Sequence, residues 1–108
     1  MYEVEHAHSD NGIDIYQAWL DSLQDRSAKA RITTRVDRAA NGNFGDNEPV
    51  GHGVRELKIH YGPGYRVYFA VEGTKVILLL GGGTKKSQQK DIDEAVKVWL
   101  ALKGELRQ

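Results

Sequence analysis

Five side chains in one short stretch of this sequence could act together on a phosphodiester. Glu56, Lys58 and His60 occupy alternate positions of VRELKIHY (54–61), and Arg66 and Tyr68 alternate positions of YRVYFAVE (65–72). The opposite parity carries Leu57, Ile59 and Tyr61 in the first segment and Tyr65, Val67, Phe69 and Val71 in the second. Side chains alternate between the two faces of a strand, so each segment reads as a strand with one apolar and one polar face. Paired strands must agree on which face is buried, which places the five polar side chains on one face. Gly62-Pro63-Gly64 reads as a three-residue hairpin loop. That loop predicts His60 opposite Arg66 and Lys58 opposite Tyr68.

This set of groups suits cleavage of RNA without a metal or other cofactor. RNA breaks when its 2′-hydroxyl loses a proton and attacks the adjacent phosphorus, expelling the 5′-oxygen. A catalyst supplies a base, an acid for the leaving oxygen and positive charge for the dianionic transition state. Arg66 offers a planar fork of donors to the phosphate. Imidazole is the natural proton-transfer group near neutrality, which nominates His60. Lys58 would stabilise charge, or act as a base if neighbouring cations lowered its pKa, and Glu56 is a second base candidate. Tyr68 would stack on a nucleobase or donate a hydrogen bond. The same residues have a purely structural reading, because outward sheet faces are polar for solvation alone and cross-strand Lys–Glu or His–Tyr pairs are ordinary.

The surrounding elements must position this face. Residues 2–8, YEVEHAH, alternate and read as a strand. His6 and His8 share its face, but two histidines without a third ligand are a weak metal signal. Ser9-Asp10-Asn11-Gly12 predicts a turn with helix caps. A helix from about Ile13 to Gln24 follows, with Ile13, Tyr16, Leu20 and Leu23 at helical spacing and Trp19 as a core anchor. Asp25 or Ser27 caps a second helix to about Ala40, whose apolar stripe is Ala28, Ile32, Val36 and Ala39. Arg31, Arg35 and Arg38 line one side of it, either as a solvated face or as contacts to a phosphate backbone.

Residues 41–53, NGNFGDNEPVGHG, read as an irregular loop plugged to the core by Phe44, with His52 exposed. Glu72-Gly73 makes a tight turn. KVILLL (75–80) is apolar on both faces, as expected of a strand covered on each side, and Gly81-Gly82-Gly83 is expected to end it. The glycines, Lys85, Lys86 and a helix start at Ser87 together resemble a phosphate-binding turn, without the spacing of a nucleotide-binding P-loop. The last helix, about Ser87 to Lys103, carries a wide apolar face of Ile92, Ala95, Val96, Trp99 and Leu100, which covers the sheet or binds a partner. The order strand, helix, helix, three strands, helix predicts one α+β domain over residues 1–108. It has a single, mostly antiparallel sheet of about four strands, two N-terminal helices and a C-terminal helix.

Length and composition fit that reading. The 108 residues are 40% apolar, enough for one modest core, and contain no cysteine, which removes disulfides and thiolate chemistry and is compatible with a reducing, cytoplasmic setting. No apolar run approaches a membrane span. Net charge is zero but uneven: residues 1–25 carry six acids and no Lys or Arg, whereas residues 26–38 carry five basic residues against Asp37 alone. Local basic patches can bind an anion, while long-range steering of a polyanion should be weak.

GNFGDNEPVG followed by GVRELKIHYGPGYRVYFAVEGTKVILLLGGGTKKSQQKDIDEA resembles the RelE/ParE superfamily of bacterial toxins, and more closely its HigB-like branch of addiction-module killer proteins. The resemblance spans Trp19 to Ala95, and GPGYRVYF and GG-x-K-x-x-Q-x-x-DI are its most specific segments. It implies a RelE-like toxin fold and an mRNA interferase that cuts messages on the translating ribosome. It also implies a small helix-turn-helix antitoxin as partner. By position, the family's strand cations correspond to Lys58 and Arg55, its key arginine to Arg66, and its later basic group to Lys85 or Lys86. Arg55 has the parity of the apolar face. Many RelE-like enzymes place a Tyr or His near the C-terminus, and this chain has neither after Tyr68. The superfamily also holds ParE-like members that inhibit gyrase without cleaving RNA. A gyrase-inhibiting toxin and an inactive, antitoxin-binding remnant are therefore the alternatives.

Overall fold

The computed structural model of the protein describes residues 1–104. In chain order the elements are β1 (Glu3–His6), α1 (Ile15–Ser22), α2 (Arg26–Ala40), β2 (Asn47–Gly51), β3 (Val54–Ile59), β4 (Tyr65–Glu72), β5 (Val76–Thr84), a 3₁₀ turn (Lys85–Ser87) and α3 (Gln88–Leu102). One sheet runs in the order β1-β5-β4-β3-β2. β1 lies parallel to β5 and every other pairing is antiparallel. The α+β reading holds, with one strand more than the four expected. The additional strand is β2, inside the segment read as an irregular loop. It escapes the pattern because Asn-Glu-Pro-Val-Gly does not alternate and carries Val50 as its single β-branched residue, and Pro is tolerated only where an edge leaves its missing N–H unneeded.

Each helix forms for a local reason. Asp14 caps α1, its carboxylate accepting the Gln17 N–H at 3.0 Å, so the helix starts two residues after the expected Ile13, which is left exposed. Asp25 caps α2 as expected and accepts the Ser27 and Ala28 N–H groups. The stripe of Ala28, Ile32, Val36 and Ala39 is buried. α1 and α2 pack on one sheet face, where Leu57, Ile59, Tyr65, Val67, Phe69, Ile77 and Leu79 join the helical stripes. Burial of each large side chain there stabilises the fold by roughly 1.5–3 kcal/mol. Phe44 stacks on Phe69 at 5.5 Å and fastens the 41–46 segment to this core, as expected. The other face packs against α3 through Val54, Tyr68, Ala70, Leu78, Leu80, Ala95 and Trp99. The apolar face of the last helix thus covers the sheet, and β5 is sandwiched between layers as its two-sided apolarity requires.

Two local expectations change. The hairpin loop between β3 and β4 holds five residues, 60–64, and the register pairs Ile59 with Tyr65, Lys58 with Arg66 and Glu56 with Tyr68. Parity survives a two-residue shift, so the faces stay as read, but His60 leaves the strand for the loop. The three glycines do not end β5; they continue it to Thr84 past an irregularity opposite Tyr68 and Phe69. Their reason is close approach: a Cβ at Gly82 would overlap the Trp19 ring, and one at Gly83 would overlap the Asp91 carboxylate. The glycines are therefore packing sites and not a phosphate-binding turn.

Candidate functional site

The polar face divides into a covered part and an open part. Glu56 and Tyr68 are fully buried beneath α3, and Arg66 is 8% exposed. The Gln88 amide at the start of α3 donates to both Glu56 oxygens at 3.1 Å. Arg66 Nε lies 3.4 Å from Glu56 Oε1 and, among the described residues, makes no hydrogen bond. A buried carboxylate requires such partners. Glu56 is thus an anchor for Arg66, and a base that must reach substrate cannot be fully buried, which corrects its candidacy. Tyr68 is likewise unavailable to stack on a nucleobase. Burial, and then the neighbouring Glu56 carboxylate, push its phenol pKa far up.

The open part lies at the hairpin. His60, Tyr61, Gly62, Pro63, Gly64, Arg66 and Lys85 line a hollow of about 430 Å³. Lys85 is brought there by its own N–H, which donates to the Gly64 carbonyl at 2.8 Å and ties the 3₁₀ turn to the hairpin. Arg66 reaches the same hollow from its buried anchor, and His60 from the loop. The Asp46 carboxylate holds His60 Nε2 at 2.5 Å, which orients the ring. The hydrogen bond from His60 in turn holds the Asp46 carboxyl below the usual range. Lys86 is exposed on the same turn but does not border the hollow.

A second hollow of about 370 Å³ adjoins the first, lying between α2 and the end of β3. Arg31, Arg35, Arg38, Asp46, Ile59 and Tyr61 are among its walls, and it shares His60 and Tyr61 with the first. Arg31 is exposed, with its guanidinium 4.4 Å above the Tyr61 ring. Arg38 is exposed too. Arg35 is not free to bind RNA: its fork donates to the carbonyls of Phe44, Asp46 and Lys58 at 3.0, 3.1 and 3.3 Å and clamps the loop before β2 onto β3. Among the described residues, Arg31, Arg38, Lys85 and Lys86 form no ion pair with a carboxylate.

Lys58 and Arg55 stand apart from the hairpin hollow. Lys58 Nζ pairs with Glu48 of β2 at 2.7 Å, and that hydrogen bond raises its pKa, the opposite of what a base needs. Arg55 faces the α1–α2 side, as its parity requires, and donates through Nε and Nη2 to Asn47 Oδ1 at 3.0 and 2.7 Å. His6 is likewise committed, its Nδ1 lying 2.7 Å from Asp14 Oδ2, and His8 Nδ1 lies 3.0 Å from the His6 carbonyl. The sequence reading missed Asp46, Gln88 and Tyr61 as parts of the site. Asp46 lies 14 positions before His60 and Gln88 lies 32 after Glu56, so no local spacing announces either pairing. Tyr61 could have been suspected from its place beside Gly62-Pro63-Gly64, at a strand end where a ring projects from the sheet.

The chain is 44% identical over 80 residues to an uncharacterised protein of Haemophilus influenzae, an alignment covering 74% of this chain and 81% of that protein. Residues 18–99 match the description "phage derived protein Gp49-like (DUF891)", a span that includes α2, the whole hairpin, the Lys85 turn and nearly all of α3. The chain belongs to the phage-derived Gp49-like family, a family of addiction-module toxins related to the RelE and HigB types.

Proposed function

We propose that this protein is the toxin of a type II toxin–antitoxin pair and acts as a metal-independent, ribosome-dependent endoribonuclease, an mRNA interferase that blocks translation. The observation that carries this reading is the convergence of Arg66, Lys85 and His60 on one hairpin hollow, with Arg66 anchored from behind by Glu56. The scissile phosphate sits at Arg66 and Lys85. The 2′-hydroxyl gives its proton to a base and its oxygen bonds to phosphorus. The bond to the 5′-oxygen breaks, and that oxygen takes a proton. The products are a 2′,3′-cyclic phosphate and a free 5′-hydroxyl. Charge on the pentacoordinate phosphorus is met by the two cations, and His60 Nδ1 serves one of the two proton transfers. Exposed Arg31 and Arg38 contact RNA beside the site, and Lys86 extends the basic surface on the other side. The natural partner is a small helix-turn-helix antitoxin.

The test is brief induction of the chain without an antitoxin, followed by mapping of the 5′ ends of cellular mRNA. New cuts inside translated frames are expected. They should disappear in Arg66→Lys, which keeps a cation over Glu56 but loses the fork, and fall sharply in Lys85→Ala. Growth arrest with intact messages and DNA-damage signalling would replace this reading with a gyrase-type target. No arrest and no cuts would leave an antitoxin-binding protein without activity.

A further inference from the structure

The hollow between α2 and the end of β3 has a floor unlike that of a plain phosphate site. Ala30, Ile59 and Tyr61 give it apolar surface, while Arg31, Arg38 and Lys58 add positive charge to its walls. The Arg31 guanidinium lies over the Tyr61 ring, 4.4 Å from its centroid. A planar cation that covers a ring with one side keeps its other side, and Arg31 is exposed. Guanidinium planes held on aromatic rings are platforms for nucleobases in RNA-binding proteins. Among the described residues one carboxylate, Asp46, lines these walls, hydrogen-bonded to His60 and outnumbered there by Arg31, Arg35, Arg38 and Lys58. Shared walls at His60 and Tyr61 put this hollow directly beside the hairpin hollow.

We propose that this hollow is a nucleobase subsite, in which the free face of the Arg31–Tyr61 stack carries one unstacked base of a single-stranded RNA whose neighbouring phosphate lies at Arg66 and Lys85. The inference rests on the phosphate placement proposed above and adds the place where a base next to that phosphate is held. Bases inside a duplex stack on each other and cannot reach such a platform. Charge alone would serve any polyanion, including an acidic peptide; the stack is what selects an unpaired base.

The test uses the purified full chain and a labelled RNA octamer with 2′-O-methyl groups throughout, which cannot be cleaved by 2′-hydroxyl attack. Binding is read by fluorescence anisotropy for this strand, its duplex, and a series with one abasic position moved along it. The single strand should bind more tightly than the duplex. One abasic position should cost about tenfold, the size of one base stack. Arg31→Lys, which keeps the charge, should lose about the same factor, lose nothing more at that abasic position, and retain the salt dependence of the native chain. Tyr61→Leu should behave alike. Equal affinity for every abasic strand, an unchanged affinity of Arg31→Lys, or no binding of the single strand overturns the proposal. An oligoglutamate that competes equally well against native chain and Arg31→Lys, with no abasic effect, assigns the hollow to charge alone. Because the RNA cannot be cut, a protein that cleaves nothing in cells can still show the subsite. Conversely, cleavage in cells without these binding effects refutes the subsite only.

Discussion

Replacement of Arg66 should damage the fold before it says anything about catalysis. Glu56 is fully buried, and the one cation against it is Arg66, with Nε at 3.4 Å, beside the neutral amide of Gln88 and phenol of Tyr68. At 3.4 Å and an effective dielectric of ~20, Coulomb's law gives the pair an attraction of about 5 kcal/mol, against which the desolvation of both groups is set. Arg66→Met keeps most of the aliphatic volume and removes that charge, leaving a buried carboxylate beside the neutral Gln88 amide and Tyr68 phenol. Loss of one partner of a buried pair costs about 3–5 kcal/mol, a large share of the ~5–15 kcal/mol that holds a domain together. In thermal unfolding this corresponds to a fall of roughly 12 °C or more for a chain of this size. Adding Glu56→Gln to Arg66→Met removes the stranded charge, and the double variant should recover to within about 1 kcal/mol of the native chain, because a neutral pair of similar shape is tolerated where a lone ion is not. Urea unfolding followed by far-ultraviolet circular dichroism, run as a double-mutant cycle, measures the coupling directly. A single variant that loses less than about 1 kcal/mol, or a cycle with no coupling, would show that Glu56 does not depend on Arg66 and would remove the anchor from the site. This is also why the growth-arrest test uses Arg66→Lys: loss of toxicity in an unfolded Arg66→Ala protein would carry no chemical meaning.

Gly82→Ala should lower the urea midpoint by an amount equivalent to about 1–3 kcal/mol, because its Cβ would meet the Trp19 ring; an unchanged midpoint would refute the packing role of that glycine. Stability should also fall on the acid side. Burial pushes the Asp14 carboxyl up, but the Gln17 N–H and His6 more than offset it, and hydrogen bonds from His60 and Lys58 hold Asp46 and Glu48 below their ordinary values. Carboxyls depressed in the folded state contribute stability that is present above their unfolded pKa values, near pH 4, and is lost as pH falls through the folded ones. Asp14→Asn, which keeps the helix cap without the titration, should flatten part of this loss; an identical acid profile would show that the His6–Asp14 pair contributes none of it.

Parity made most of the sheet legible in the sequence. Leu57, Ile59, Val67 and Phe69 could belong to only one face, so Glu56, Arg66 and Tyr68 had to share the other, and they do so even though the register moved by two residues. The α2 stripe and the apolar face of α3 were legible for the same reason, because a periodicity of two or 3.6 is a local property of the chain; which of Asp25 and Ser27 caps α2, and whether α3 covers the sheet or a partner, only the structure decided. What lay outside local pattern was decided by tertiary contact. The sequence could place Glu56, Tyr68 and Arg66 on one face but not say that α3 would bury the first two and anchor the third, since that depends on Gln88, 32 residues away from Glu56. It could show three glycines after an apolar strand but not that Trp19 and Asp91 would lie upon two of them, which turns an apparent phosphate loop into strand. Arg31, Arg35 and Arg38 looked alike along α2, yet Arg35 spends its fork on three carbonyls while Arg31 lies on Tyr61. Side-chain type and spacing determined which groups this protein has for chemistry; only packing across long sequence separations decided which of them face a substrate, because burial and pairing are properties of neighbours in space.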